Sequence, residues 1–384
     1  MKSKILWKAS RSKKNNSNLF RYEKFLSYKY NFKVTQKYKK LTEWSIKNPK
    51  KFWSSIWDFA GVTGIKNEKF EKSNIFFKNK FLKNSKLNFA ENLLKKNDNS
   101  KAITFVSENG YKKVRSWKEL NINVGKIVNF FLSIKLKKKD RIAAYLPNLI
   151  ETVESFIATS AIGSIWSSCS PDFGSNGVIE RFSQIKPKVL IICDRYFYNG
   201  KEINVIERLP KILKKVKSIK SVVIINYPGK PFLKSKKIKN IKFFYWNSIM
   251  KIKNKEIQFK KFDFEHELAI LYSSGTTGKP KCICHRSGGV LLQHLKEHQL
   301  HCDIKENDNI FYFTTCGWMM WNWLVTALSS KASIVMFDGF PMYKGDDLLI
   351  KLADEEKITL FGVSAKYIDA LNKSNVLNKK KYKL

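Results

Sequence analysis

The stretch L-Y-S-S-G-T-T-G-K-P-K, at residues 271–281, decides how the rest of this sequence is interpreted. Its first residue, Leu271, is the last of an apolar run at residues 268–271, and this run predicts a buried strand. Its glycines allow a tight turn and a close approach of the backbone to a ligand. Its hydroxyls, backbone N–H groups and lysines form a set of donors that suits phosphate oxygens. The sequence therefore predicts a phosphate-binding loop made of Ser273, Ser274, Gly275, Thr276, Thr277, Gly278, Lys279 and Lys281.

This loop differs from the common Walker phosphate loop. The Walker pattern has four residues between its glycines and continues through Lys and Ser or Thr into a helix. Here only two residues separate Gly275 from Gly278, and Pro280 follows Lys279. Proline disfavours a helical conformation at the residue before it, so we expect no helix directly after the loop. A GTPase or motor ATPase is therefore disfavoured. The remaining alternative is a plain surface loop, which seldom combines these hydroxyls, glycines and lysines behind a buried strand.

The loop resembles the signature of the acyl-adenylate-forming superfamily, which includes acyl-CoA synthetases, luciferases and peptide-synthetase adenylation domains. The H-R-S-G-G segment at residues 285–289 is similar to the continuation of this loop in the short-chain branch. Four other segments resemble the acetoacetyl-CoA synthetase group more than its acetate-using relatives. They are C-S-P-D-F-G at 169–174, D-R-Y-F-Y-N-G-K at 194–201, C-G-W-M-M-W-N-W at 316–323 and F-G-V-S-A-K-Y-I at 361–368. The resemblance runs from Trp7 to the last residue.

The resemblance implies an ATP-dependent acid–thiol ligase. In such an enzyme a carboxylate attacks the α-phosphorus of ATP and releases pyrophosphate, and the thiol of coenzyme A then displaces AMP. The first step needs positioning and charge neutralisation rather than a general base, because a carboxylate is already nucleophilic at neutral pH. The expected partners are acetoacetate, ATP with Mg²⁺, and coenzyme A. The alternatives are an acetyl- or propionyl-CoA synthetase and a nucleotide-binding protein without catalysis.

The resemblance also implies roles for individual residues. The loop residues would hold the β and γ phosphates of ATP. Trp318, Met319 and Trp321 are candidates for the acyl pocket, although an aromatic helix in the core explains their spacing equally well. Lys201 is the candidate contact for coenzyme A, while Tyr198 replaces an arginine of the acetate-using relatives. We predict no metal ligand in the protein.

The family's Thr-Glu segment and its C-terminal lysine are not found before Leu384. No catalytic residue is therefore expected within this chain. We expect a fragment that stops before the small C-terminal domain and is inactive alone.

The order of elements predicts an α/β fold with helix-flanked, largely parallel sheets. Beyond residue 101, short apolar strands alternate with helices, and Asn109-Gly110 predicts the turn of a hairpin. The strand at 189–193 is predicted to lead into a basic helix that ends near Val216, and a further helix is predicted at 290–301. Residues 1–75 are expected to form a helical aromatic and basic N-terminal cap. Residues 76–384 are expected to form the large AMP-binding domain of the superfamily, incomplete at its C-terminal end.

The amino-acid composition limits the classes of partner that this protein is expected to bind. The net charge is +41, and 65 of the 73 basic residues are lysines spread along the whole sequence. Specific nucleic-acid binding normally concentrates charge on one face and uses arginine for bidentate contacts. We therefore expect no specific nucleic-acid partner. A hydrophobic content of 43% is typical of a globular protein.

Cysteine usage and hydropathy argue for a cytoplasmic enzyme. Six cysteines among 384 residues do not predict a disulfide framework. No apolar run has the length of a membrane span. The basic first 22 residues superficially resemble an organelle transit peptide, but lysine is equally dense elsewhere.

Overall fold

The computed structural model describes residues 5, 7–75, 78–233, 238–273, 278–374, 376 and 382. Its α-helices are, in chain order, α1 (Arg11–Asn15), α2 (Asn18–Tyr30), α3 (Tyr38–Lys47), α4 (Pro49–Phe59), α5 (Phe89–Leu93), α6 (Trp117–Ser133), α7 (Ile150–Ala161), α8 (Ser175–Ile185), α9 (Leu209–Lys215), α10 (Trp246–Ile249), α11 (Ser287–Lys296), α12 (Met319–Thr326), α13 (Leu348–Glu355) and α14 (Ala365–Ser374).

Its strands are β1 (Gly64–Ile65), β2 (Lys69–Glu71), β3 (Lys80–Lys83), β4 (Lys86–Leu87), β5 (Lys101–Ser107), β6 (Lys112–Ser116), β7 (Arg141–Tyr145), β8 (Ile165–Cys169), β9 (Val189–Cys193), β10 (Arg195–Tyr198), β11 (Lys201–Asn204), β12 (Ser221–Ile225), β13 (Lys242–Tyr245), β14 (Phe262–Asp263), β15 (Glu267–Ser273), β16 (Lys281–Arg286), β17 (Asn309–Tyr312), β18 (Ser333–Asp338) and β19 (Leu360–Gly362).

A seven-stranded sheet with the order β13-β12-β9-β7-β8-β15-β16 organises the fold. Neighbouring strands are parallel except for the antiparallel pair β15 and β16. The central strands β8, β9 and β12 are buried on both faces, which explains why β9 and most of β12 are apolar runs. The predicted α/β class with largely parallel sheets is confirmed.

The order in which the chain adds parallel strands to this sheet reverses at β7. Strand β8 lies on one side of β7, whereas β9 and β12 lie on the other. In open α/β sheets, ligands bind outside the carboxyl ends of the strands near such a reversal. The carboxyl edge of this sheet is therefore where a ligand site is expected.

A five-stranded sheet with the order β19-β17-β18-β5-β6 packs on the other side of helix α7. Every residue of α7 is buried, as expected for a helix that is covered on all sides. Strands β5 and β6 form the predicted hairpin, and Gly110 in its turn has a φ of 83°. Both sheets thus share one interior around α7.

The N-terminal region packs onto the same interior. Tyr22, Leu26, Ile56 and Trp57 belong to the buried core that the large sheet contributes to. The helices end at Phe59, and residues 60–75 contain strands β1 and β2 instead of continuing a helical cap. Strand β2 pairs with β3 across the expected boundary at residue 75, and that boundary stays a prediction.

One predicted helical region is wrong in its first part, and the helix predicted at 290–301 is present but starts three residues earlier. Residues 195–204 form the β10–β11 hairpin, and the helix after it, α9, starts only at Leu209. The hairpin forms because Asn199 and Gly200 adopt positive φ angles in its turn, which suits an Asn-Gly pair. Helix α11 starts at Ser287 and continues into a π-helical turn at Glu297–His301. No helix among the described residues is long and apolar enough to cross a membrane.

Candidate phosphate and acyl site at the carboxyl edge of the large sheet

The predicted phosphate loop closes a β-hairpin at this edge. Strands β15 and β16 are antiparallel, and Ser273 lies opposite Lys281. The loop therefore leads into a strand, which agrees with the expectation from Pro280 that no helix follows directly. Among the predicted loop residues, Ser274, Gly275, Thr276 and Thr277 lie outside the described residues, so this part of the prediction remains untested.

The described loop residues present open space and positive charge. Gly278 has a φ of 99°, and apart from its chain neighbours no described residue has an atom within 4 Å of the position that a Cβ would take. Lys279 and Lys281 are exposed and form no ion pair with a described residue. The hairpin thus presents an unobstructed backbone and two available ammonium groups, which suits a polyanion.

The base of the hairpin is held by polar contacts with strand β8. The Ser167 hydroxyl lies 2.9 Å from both the Ile270 carbonyl oxygen and the Tyr272 hydroxyl. Burial raises the pKa of Tyr272, so this phenol stays neutral. These contacts fix where β15 ends and where the loop begins.

Helix α8 supports the hairpin through two side chains that the sequence did not indicate. Gln184 Nε2 donates to the Pro280 carbonyl oxygen at 3.0 Å. The Arg181 guanidinium lies 4.3 Å from the Phe173 ring centre and 5.7 Å from that of Tyr272. The one available signal for Arg181 is the scarcity of arginine in a chain that otherwise uses lysine. Gln184 has no comparable signal.

The segment that carries the acyl-pocket candidates crosses the same edge. The Ser168 hydroxyl donates to the Cys316 carbonyl oxygen at 2.5 Å, at the end of β8. Gly317 approaches Phe173 closely, since a Cβ at Gly317 would lie 3.5 Å from that ring. Residues 316–318 therefore lie beside the carboxyl ends of β8 and, one strand further, β15.

The three acyl-pocket candidates differ in how exposed their side chains are. Trp318 and Met319 are 61% and 43% exposed at the start of α12. Trp321 is fully buried, its Nε1 donates to Asn148 Oδ1 at 2.8 Å, and its ring stacks on that of Trp166. Trp321 is thus a core residue, and Trp318 and Met319 alone face the open edge.

Asn148 holds the segment around residues 314–321 in place through hydrogen bonds. Its Nδ2 lies within 3.3 Å of the carbonyl oxygens of Thr314 and Phe337, and its backbone N–H donates to Asp338 Oδ1. Asp338 also accepts from the Tyr227 hydroxyl. Burial raises the pKa of Asp338 to about 7, although these two hydrogen bonds oppose the shift.

The coenzyme A candidate stands on another hairpin of the same edge. Lys201 is exposed and follows directly on the turn between β10 and β11. The Glu108 carboxylate accepts from the backbone N–H groups of Asn199 and Gly200, at 2.8 Å each. Three strand spacings separate β9 from β15, which corresponds to ~14 Å. The strands that lead into the two hairpins therefore end at the same edge, about 14 Å apart.

The described part of the chain contains no cluster of three or more His, Cys, Asp or Glu side chains that could hold a metal ion. Cys282 and Cys284 are exposed on β16, whereas His294 and His298 are buried behind it.

Residues 90–384 match the protein family described as AMP-binding enzyme. The chain belongs to the AMP-binding enzyme family. This AMP-binding enzyme is 38% identical to an acetoacetyl-CoA synthetase of Gallus gallus over 384 residues, which cover 98% of this chain and 57% of the relative. It is 40% identical to an acetoacetyl-coenzyme A synthetase of Rhizobium meliloti over 332 residues, which cover 86% of this chain and 51% of the relative.

The solved structure of an acetoacetyl-CoA synthetase from Streptomyces lividans has the same fold. Its TM-score is 0.92 at 29% sequence identity, and the match covers 99% of this chain and 58% of that one. The chain of this AMP-binding enzyme thus spans about half the length of the curated relatives it matches.

Proposed function

We propose that this AMP-binding enzyme acts as an acid–thiol ligase of the acetoacetyl-CoA synthetase type. The acetoacetate carboxylate attacks the α-phosphorus of ATP and pyrophosphate leaves. The sulfur of coenzyme A then attacks the acyl carbon, and AMP leaves while the thiol proton is released. The observation that carries this proposal is the β15–β16 hairpin, which presents Gly278, Lys279 and Lys281 at the carboxyl edge. A cytoplasmic location, expected from the sequence, belongs to the same proposal.

The described residues fit the triphosphate of ATP. Gly278 leaves room for phosphate oxygens to approach the backbone, and the two lysines supply charge without an ion pair to any described residue. Ser274, Gly275, Thr276 and Thr277 complete the donor set of this proposal, together with Ser273. Mg²⁺ is expected to arrive with ATP as the counter-ion of its phosphates.

The acid and coenzyme A are assigned to the remaining candidates on the edge. Trp318 and Met319 are proposed to bound the acyl pocket, because they are the exposed aromatic and apolar side chains beside the ends of β8 and β15. Bulky side chains there favour a short acid. Lys201 is proposed to contact a phosphate of coenzyme A.

The proposal is tested by measuring the acid-dependent exchange of labelled pyrophosphate into ATP. One arm uses this chain alone, and a second uses this chain fused to the part of the Gallus gallus relative that it does not cover. The complete relative is the positive control. We expect acetoacetate to stimulate exchange most strongly, and the Lys279→Gln/Lys281→Gln variant to reduce that exchange.

Two outcomes favour the alternatives. Stronger stimulation by acetate or propionate identifies a synthetase for those acids. An absence of exchange with every acid in both arms, while ATP still binds, favours a nucleotide-binding protein without catalysis.

A further inference from the structure

A polar cavity of about 370 Å³ lies away from the phosphate hairpin and contains none of the predicted site residues. It is bounded by β6 at the edge of the five-stranded sheet, by the start of α7, and by the loop after β12 together with α10. Its volume lies within the range of small-molecule pockets. Tyr111 and Trp246 add aromatic surface to a lining that includes the charged side chains of Lys113, Arg115 and Glu151.

Two ion pairs lie at the inner wall of this cavity, and three of their four side chains, those of Lys113, Arg115 and Glu151, line it. Lys113 and Arg115 are two residues apart on β6, so both side chains point to the same face of the strand. Opposite them, Glu151 and Glu154 are one helical turn apart on α7. Lys113 Nζ lies 2.9 Å from Glu151 Oε1, and Arg115 Nε lies 2.8 Å from Glu154 Oε1.

The polar groups of this wall are only partly satisfied within the described chain. The Oε2 atoms of Glu151 and Glu154 have no hydrogen-bond partner among the described residues, and Arg115 Nε is not aligned for a hydrogen bond. Glu151 is only 5% exposed and still lines the cavity. Buried polar groups without partners cost free energy and call for an explanation. A bound ligand that carries both hydrogen-bond donors and acceptors explains these unpaired groups, because it provides their partners.

The charges decide which ligand suits the wall. A simple anion would meet the carboxylate of Glu151, and a simple cation would meet Lys113 and Arg115. A zwitterion matches both signs, because its carboxylate can take the donors of Arg115 and Lys113 while its ammonium takes Glu151. Lys113 can turn toward the ligand carboxylate, since its side chain is one-third exposed. Charge stays balanced throughout this exchange.

We propose that this cavity binds a free α-amino acid, whose carboxylate contacts Arg115 and Lys113 and whose ammonium contacts Glu151. The side chain of the amino acid lies toward Tyr111 and Trp246. This assignment does not depend on ATP or on the ligase reaction.

The test measures thermal unfolding of the 384-residue chain in 150 mM NaCl without ATP, with each of the common amino acids added in turn. Binding of the best one is then quantified by saturation-transfer NMR. Its N-acetyl derivative keeps the carboxylate and lacks the ammonium, whereas its methyl ester keeps the ammonium and lacks the carboxylate. We expect both derivatives to bind at least tenfold more weakly than the free amino acid.

Site variants complete the experiment. Glu151→Gln and, independently, Lys113→Gln are each expected to weaken binding at least tenfold. Lys113→Gln tests the proposal if Glu151→Gln unfolds, and Lys118→Gln on the surface is the charge-matched control for Lys113→Gln. The proposal is overturned if no amino acid binds, or if the N-acetyl derivative binds as well as the free amino acid. The second result indicates attraction of anions to the basic surface instead.

Discussion

The two hairpins at the carboxyl edge of the large sheet are held in different ways. In the β10–β11 hairpin, the turn donates to the Glu108 carboxylate and Phe197 packs against Tyr227 in the interior. In the β15–β16 hairpin, β16 is largely exposed, including Ile283 at 45%, and α8 contacts the hairpin through Gln184 and Arg181. The turn of the first hairpin is fixed by hydrogen bonds within the protein, whereas the second hairpin keeps the ammonium groups of Lys279 and Lys281 available for a ligand.

This difference predicts that changes near the first hairpin alter stability, whereas changes near the second alter nucleotide binding. The largest effect is expected for Glu108→Ala. Glu108 accepts from three backbone N–H groups, those of Asn199, Gly200 and Phe340, and it is buried. Its loss leaves these donors unpaired, so we expect the free energy of unfolding to fall by about 3 kcal/mol.

Urea unfolding measures this change. The control is Glu355→Ala, which removes an exposed ion pair with Lys351 and should cost less than about 0.5 kcal/mol. Equal effects of the two variants would contradict the difference between the hairpins.

A pH-dependent effect is expected from Asp338, which supports the first hairpin through Tyr227. Because its folded-state pKa is raised to about 7, the folded protein binds more protons than the unfolded chain between about pH 4 and pH 7. This carboxyl group therefore makes stability fall as pH rises, by up to about 1.4 kcal/mol per pH unit. Urea unfolding across this range should show a less negative, or more positive, slope for Asp338→Asn. An unchanged slope would show that Asp338 does not titrate as described.

A smaller effect is expected from the glycines of two turns. Gly278 and Gly110 both have positive φ angles and open space around the Cβ position. Alanine at either position strains the turn by roughly 1–2 kcal/mol, because L-residues avoid this conformation. We expect Gly278→Ala to weaken ATP binding about tenfold and Gly110→Ala to leave it unchanged, as measured by equilibrium dialysis. Similar losses of ATP affinity in both variants would contradict the assignment of Gly278 to the phosphate site.

The smallest effect is expected for Gln184→Ala. The lost hydrogen bond to Pro280 is worth about 1 kcal/mol or less at an exposed position. We expect ATP affinity to fall about two- to fivefold with little change in the unfolding midpoint. A change in stability without a change in affinity would assign Gln184 to the fold alone.

Much of this architecture follows from local sequence. Strands β9 and β12 are largely apolar runs, and the Asn109-Gly110 turn pair determines its hairpin within a few residues. The β10–β11 hairpin escaped prediction, although Asn199-Gly200 is the same turn pair, because its support comes from Glu108, far away in the chain. Strand β16 escaped for a similar reason, since the strand has no apolar run and depends on β15 for pairing.

The candidate site shows the same limit. The glycines and lysines of the loop were evident because their composition and spacing are unusual. The aromatic spacing after Gly317 could not distinguish exposed Trp318 from buried Trp321, because both fit one helix. That distinction depends on Asn148 and Trp166, which reach Trp321 from another part of the chain.

The central claim is that the β15–β16 hairpin binds the phosphates of ATP, and one binding measurement tests it most directly. ATP affinity is measured by calorimetry in 150 mM NaCl for the wild type, for Lys279→Gln/Lys281→Gln, and for Lys118→Gln/Lys242→Gln. The last pair changes the net charge equally at exposed lysines away from this hairpin. We predict at least a tenfold loss for the hairpin variant and less than a twofold loss for the control. Equal losses would show that ATP responds only to the overall charge, and would contradict the account.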